Sequence, residues 1–250
     1  MMLNNKVIIV TGATSGMGAE TAVQLAVQGA KVMLFGRNLT RANNVKNRIE
    51  NNGGIAEVCI GDVTESSAAD NVVEKTLSSF GQVDGLVNAA GIIYRGNAEQ
   101  TGDDDWRASM ATNVDGSFFM SRAAVRVMKS GSIVNFASTC GLVGAAGLTA
   151  YCVTKGAVVQ LTRAMALDHA KQNIRVNSVC PGAIDTPMLV SGHEKHIHKD
   201  DVFASNVDSI PQGRIPGPEE VANVVVFLCS DLSSHITGTN IPVDGGYTAQ

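Results

Sequence analysis

Val7-Ile8-Ile9-Val10-Thr11-Gly12-Ala13-Thr14-Ser15-Gly16-Met17-Gly18-Ala19-Glu20-Thr21 opens with an apolar β-branched run, turns through glycines, and passes at once into a helix-forming stretch. Such a run suits a buried strand, and the turn after it needs residues that tolerate a tight backbone. Glycines there also let a diphosphate approach the main chain, while the N-terminus of the next helix favours its negative charge. The segment therefore reads as the first strand, turn and helix of a dinucleotide-binding α/β sheet. Gly12, Thr14, Ser15, Gly16, Met17 and Gly18 are its candidate contacts. Their spacing differs from the common Gly-x-Gly-x-x-Gly, so the turn by itself does not decide the ligand.

The same alternation continues outward along the chain. After 7–10, short apolar runs at 31–35, 57–60, 85–88, 132–136, 175–179 and 240–243 read as strands. Between them, 16–28, 39–51, 66–80, 103–128, 151–171 and 219–230 carry helix-period apolar residues. Seven strands alternating with six helices imply a parallel sheet covered on both faces, a Rossmann-type doubly wound α/β fold in one domain over 1–250. One stretch breaks the rhythm. Residues 188–216 are polar, rich in His, Lys and Asp, and long for a connection, so they read as a lid inserted over the site.

With 44% hydrophobic and 17% charged residues, the 250-residue chain has the composition of one globular domain. A net charge of -4 with mixed signs supplies no basic stripe for nucleic acid or an anionic membrane. No apolar run approaches a membrane span, and Met-Met-Leu-Asn-Asn-Lys runs straight into the first strand, leaving no room for a signal peptide. Cys59, Cys140, Cys152, Cys180 and Cys229 are odd in number and scattered, unlike a disulfide framework or a metal site. The expectation is a cytoplasmic protein with free thiols and a small-molecule ligand.

The chemistry centres on Tyr151 and Lys155, thirteen and more residues after Ser138. At i and i+4 of a helix, a phenol and an ammonium share one face. A free phenol has a pKa of about 10, and a nearby cation lowers it towards the range of a working acid/base. The second strand ends Leu34-Phe35-Gly36-Arg37-Asn38, without the acid that holds an NAD ribose. Gly36 removes a side chain that would repel phosphate, and Arg37 offers donors to a 2′-phosphate, so NADP is favoured over NAD. The competing reading of Arg37 is a solvated surface charge. Gly61-Asp62-Val63 and Asn88-Ala89-Ala90-Gly91 also fall at carboxyl ends of strands, where ligands bind; Asp62 competes as a cap for the next helix.

Together these residues resemble the classical short-chain dehydrogenase/reductase family over essentially the whole chain. The resemblance is carried by Thr11 to Gly18, Asp62, Asn88 to Gly91, Asn113, Ser138, Tyr151, Lys155, and Pro181-Gly182 followed by Thr186. It implies that Tyr151 is the acid/base, Ser138 orients the substrate oxygen, Lys155 binds the nicotinamide ribose and tunes Tyr151, and Asn113 supports a water-linked proton path. It further implies that Asp62 contacts the adenine, with Val63, Asn88, Ala89, Gly91, Pro181, Gly182, Ile184 and Thr186 completing the cofactor contacts. Ala89 departs from the family's frequent second Asn. The strand end at Gly36-Arg37 and the tail Asp244 to Gln250 are similar to those of NADP-dependent bacterial R-specific alcohol dehydrogenases. That likeness implies a homotetramer and a structural Mg²⁺ near the Gln250 carboxylate; no other metal site is expected.

The function so implied is hydride transfer between NADP(H) and a ketone, aldehyde or secondary alcohol. The alternatives are an NAD-dependent dehydrogenase of a secondary alcohol, polyol or hydroxy acid, a 3-oxoacyl-type reductase, and a dinucleotide-binding sensor without catalysis. The small apolar residues 139–148 are expected to wall the substrate pocket, facing Ile92, Ile93, Tyr94, Ile184 and Met188. His193, Lys195, His196, His198 and Lys199 are candidate lid donors, and His196-x-His198 admits both a metal reading and a solvated-loop reading. Cys140 and Cys152 flank the site, with packing favoured over a redox role.

Overall fold

The computed structural model describes residues 1–192 and 198–250. All five residues of β1 (Val7–Thr11) are buried, as a central parallel strand requires. β2 (Lys31–Gly36), β3 (Ile55–Ile60), β4 (Gly85–Asn88), β5 (Gly131–Phe136), β6 (Ile174–Pro181) and β7 (Asn240–Val243) complete one sheet of order β3-β2-β1-β4-β5-β6-β7. Every pairing is parallel. The order reverses between β1 and β4, and the crevice of an open α/β sheet forms at such a point.

Because successive strand residues face opposite ways, period two divides the core into two layers. Ile8, Val10, Val32 and Leu34 pack on one face with α1 (Gly16–Val27), α2 (Leu39–Asn51) and α9 (Pro218–Cys229). Ile9, Met33 and Phe35 pack on the other with α3 (Ser66–Phe80), α5 (Gly116–Val125) and α6 (Thr149–His169). The doubly wound reading holds, with most strand ends where expected and the others shifted by one or two residues.

Two corrections concern helices. The single helix expected over 103–128 is broken into α4 (Asp103–Ser109), a π-helical stretch Met110–Asp115, and α5, which ends at Val125. A wider turn keeps the apolar period almost intact, so hydrophobic spacing does not reveal it. The stretch expected as a lid also carries helices that its composition does not announce, α7 (Pro187–Val190) and α8 (Lys199–Val207), among its described residues. Only Val202 of α8 is buried, which explains the lack of an apolar stripe to read.

Candidate active site

Two cavities meet at the carboxyl ends of the strands. The first, about 190 Å³, is lined by Gly12, Thr14, Ser15, Gly16, Met17 and Gly18 on one side. Gly12 is constrained twice: its φ of 63° lies in the left-handed region, and a Cβ would come 2.7 Å from the Ala89 carbonyl oxygen. A Cβ at Gly18 would collide with the Gly12 carbonyl, so α1 packs directly on the turn before it. The Thr11 hydroxyl accepts from the Ala89 and Ala90 amides, each at 3.1 Å, tying the exit of β4 to β1. Ser15 is the N-cap of α1, yet its side chain caps no amide, and the first turn carries no acid. The leading amides are therefore left for an anion, and the bare glycine cradle fits a dinucleotide diphosphate.

Arg37, Asp62, Val63, Ala89, Gly91 and Thr186 line the rest of this cavity. Arg37 Nη1 faces Asp62 Oδ2 at 3.4 Å, with the arginine side chain 73% exposed. Asp62 Oδ1 accepts from the Thr64 amide and hydroxyl, both at 3.0 Å. Burial pushes the Asp62 carboxyl up, but the Thr64 bonds and the Arg37 charge outweigh it and hold the group below its ordinary range. The competing reading of Asp62 as a helix cap is set aside, since Glu65 occupies the N-cap of α3. Gly36 has a reason beyond phosphate repulsion: a Cβ there would lie 2.8 Å from the Thr14 methyl.

The second cavity, about 240 Å³, contains Ser138, Tyr151, Pro181, Gly182 and Ile184 in its walls, and shares Met17, Thr186 and Met188 with the first. Tyr151 projects from the first turn of α6, and Ser138 follows the end of β5. Ser138 Oγ accepts from the Cys140 amide at 3.1 Å and donates to the Pro181 carbonyl at 3.4 Å. Lys155 and Asn113 stand behind the wall. Lys155 Nζ donates to the Phe136 carbonyl at 2.7 Å and lies 5.5 Å from the centre of the Tyr151 ring. Asn113, in the π-helical stretch, donates to the Ile92 carbonyl and to Thr154 Oγ1, both at 3.0 Å, and accepts from the Ile92 amide at 2.9 Å. Asn88 is likewise internal, donating to Ser121 Oγ and Asn135 Oδ1 at 2.9 Å.

A family model described as enoyl-(acyl carrier protein) reductase matches residues 12–248. Meso-2,3-butanediol dehydrogenase of Serratia marcescens is 41% identical, over all of this chain and 97% of its own. Cyclohexanol dehydrogenase of Acinetobacter sp. (strain SE19) is 38% identical, over 99% of this chain and 96% of its own. The crystal structure of levodione reductase matches with a TM-score of 0.95 at 29% identity, covering 99% of each chain. The chain belongs to the classical short-chain dehydrogenase/reductase family. It is an oxidoreductase of CH–OH and C=O groups, and membership of the family implies a nicotinamide dinucleotide cofactor.

In this short-chain dehydrogenase/reductase the electrostatics of Tyr151 differ from the sequence expectation. Burial pushes the phenol above its ordinary range; the Cys140 and Cys152 thiols add to that, while Ser138 and the Arg95 charge pull it down. Lys155, 5.5 Å from the ring centre, does not offset this burial. Its own amine is lowered to about 8, chiefly by burial. The physical reason is that i+4 spacing puts both groups in the same dry interior, where desolvation disfavours both charges.

Arg95 went unnoticed in the sequence because a lone arginine after a tyrosine carries no periodic or motif signal. It lines the second cavity and holds the end of α7 and the residue after it, donating from Nε to the Ser191 carbonyl and from Nη2 to the Leu189 carbonyl, both at 3.0 Å. Asn206, Ser209 and Ile210, from α8 and the turn after it, also line this cavity. The expected apolar wall is present in Ile93, Val143, Leu148, Ile184 and Met188. Other expected members lie elsewhere: Ile92 lines the first cavity, Tyr94 is 38% exposed, and Leu142 packs against Val158 and Val159. Lys199 pairs with Asp185 at 3.0 Å and sits over the Phe203 ring, so its charge is already engaged. His193, Lys195 and His196 lie outside the described residues, and with them the His196-x-His198 pair. Cys140 lines the second cavity, and both it and Cys152 are free thiols.

Proposed function

We propose that the protein is an NADP(H)-dependent oxidoreductase of ketones or aldehydes and secondary alcohols, with Tyr151 as acid/base. The observation that carries this reading is the junction of the two cavities at Met17, Thr186 and Met188, with Ser138 and Tyr151 in the wall of the second. When bound, the dinucleotide supplies or accepts the hydride. Ser138 and Tyr151 hold the reacting oxygen between two hydroxyls, the Ser138 hydrogen turning to it from its long bond to the Pro181 carbonyl, and negative charge developing on that oxygen is met by both donors. Tyr151 rests protonated, the form from which carbonyl reduction starts. It gives its proton to the oxygen as hydride arrives at carbon, and takes one back in oxidation. Lys155 replenishes charge balance behind the phenol, and Asn113 steadies the Ile92 backbone beside it.

Arg37 supports the choice of NADP. Its exposed pairing with Asp62 is weak, so the guanidinium is available to a 2′-phosphate at small cost. Titration of nicotinamide fluorescence tests this: the wild type binds NADPH more tightly than NADH, and Arg37→Ala loses that preference. Tighter NADH binding by the wild type, or an unchanged preference in Arg37→Ala, supports an NAD-linked dehydrogenase instead. The reading extends to a cytoplasmic homotetramer, supported by Phe118 and Val153, 42% and 44% exposed on α5 and α6, and by the free thiols. Light scattering that returns a monomer removes that extension. The structural Mg²⁺ near Gln250 rests on the tail's likeness alone, and a subunit count unmoved by EDTA removes it.

A further inference from the structure

Among the described residues, two charged side chains line the Ser138 and Tyr151 cavity, Arg95 and Asp244. Asp244 is fully occupied: Oδ1 accepts from the Gly246 amide at 3.0 Å, and Oδ2 from the Thr248 amide and hydroxyl at 2.9 and 2.6 Å. Arg95 is in a different position. Its two bonds, to the Leu189 and Ser191 carbonyls, use two of the five donors of a guanidinium and bring no negative charge. Among the described residues it has no carboxylate partner.

A half-buried cation with no counter-ion among the described residues carries a desolvation cost that an anion entering the cavity would offset. Both Nη1 hydrogens and the second Nη2 hydrogen remain, enough for an end-on bidentate match to a carboxylate, the geometry arginine supplies best. The facing walls are apolar, at Ile93, Val143, Leu148 and Ile184, so they favour a short carbon skeleton between the acid and the reacting oxygen. At about 240 Å³ the cavity is smaller than the roughly 300–1,000 Å³ typical of drug-sized ligands, which limits the substrate to a small molecule.

We propose that Arg95 determines specificity, and that the preferred substrate is a short hydroxy or keto acid whose carboxylate pairs with the Arg95 guanidinium. This rests on the reading that Ser138 and Tyr151 hold the reacting oxygen. Reduction of such an acid adds a hydride from the dinucleotide to the carbonyl carbon and a proton from Tyr151 to its oxygen, leaving the carboxylate unchanged. Since the same guanidinium holds the carbonyls of α7 and the residue after it, acid binding and lid placement act through one side chain.

Calorimetry with levulinate and its methyl ester, in the presence of oxidised dinucleotide so that no turnover occurs, tests the assignment. The wild type is expected to bind the acid about tenfold more tightly than the ester, and Arg95→Met to bind the two about equally. Arg95→Lys keeps the charge without the fork and retains part of the preference, so the test stands even where Arg95→Met fails to fold. Equal binding by the wild type, binding of neither compound, or a preference that survives in Arg95→Met overturns the proposal. Turnover of neutral secondary alcohols is judged separately, so loss of acid preference does not count against Tyr151.

Discussion

A lysine 4% exposed, with its amine bonded to one main-chain carbonyl, keeps its proton only against a desolvation cost. That cost makes Lys155 a destabilising element with a pH signature. Its folded-state value of about 8 lies below the ordinary 10.5, so the unfolded chain holds the proton more tightly. Below pH 8 the full penalty is present, and it is relieved as pH rises from 8 to 10.5. Relative to Lys155→Met, the cofactor-free wild type should gain roughly 3 kcal/mol over that window, read from urea unfolding at each pH. A difference between the two proteins that stays flat with pH would show that the amine is not desolvated in this way. The sequence singled out Tyr151, Lys155, Ser138 and Arg37, and the fold puts Ser138, Tyr151 and Arg37 on the cavity walls with Lys155 behind them. Their electrostatics were not legible there, because burial and the direction of Lys155 Nζ depend on the packing of β5 against α6.

At the scale of elements, the π-helical stretch is what aims Asn113 inward, where its side chain satisfies both polar groups of the Ile92 main chain and reaches Thr154. Asn113→Ala leaves those groups without their partners in a nearly dry interior. The expected cost is roughly 1–3 kcal/mol of stability, measured by chemical denaturation, together with lower turnover as the loop after β4 shifts. Asn113→Asp keeps the acceptor for the Ile92 amide and should lose less stability than Asn113→Ala; equal losses would mean that the bracing bonds contribute little. Glycine turns and the parallel strands were readable because their signals are local, as in Thr11 to Gly18. The break at 110 and the helix at 199–207 were not, since one lies within an unbroken apolar period and the other buries a single residue.

Across the whole molecule, the sheet order puts the ends of β1, β4, β5 and β6 side by side, and these strands carry Gly12, Asn88, Ser138 and Pro181 into one crevice or just behind it. Alternation of strand and helix was enough to anticipate this, because right-handed crossovers leave few other ways to arrange such a chain. What alternation does not specify is how a lid folds back, and hence that Arg95 should sit beneath α7. The most direct measurement is turnover of a secondary alcohol by Tyr151→Phe, followed by nicotinamide absorbance, with dinucleotide binding read on the same protein by fluorescence. Loss of turnover by about 10²-fold or more with cofactor affinity retained is the expected result. Full activity in Tyr151→Phe would contradict Tyr151 as the acid/base and, with it, the chemistry assigned to this cavity.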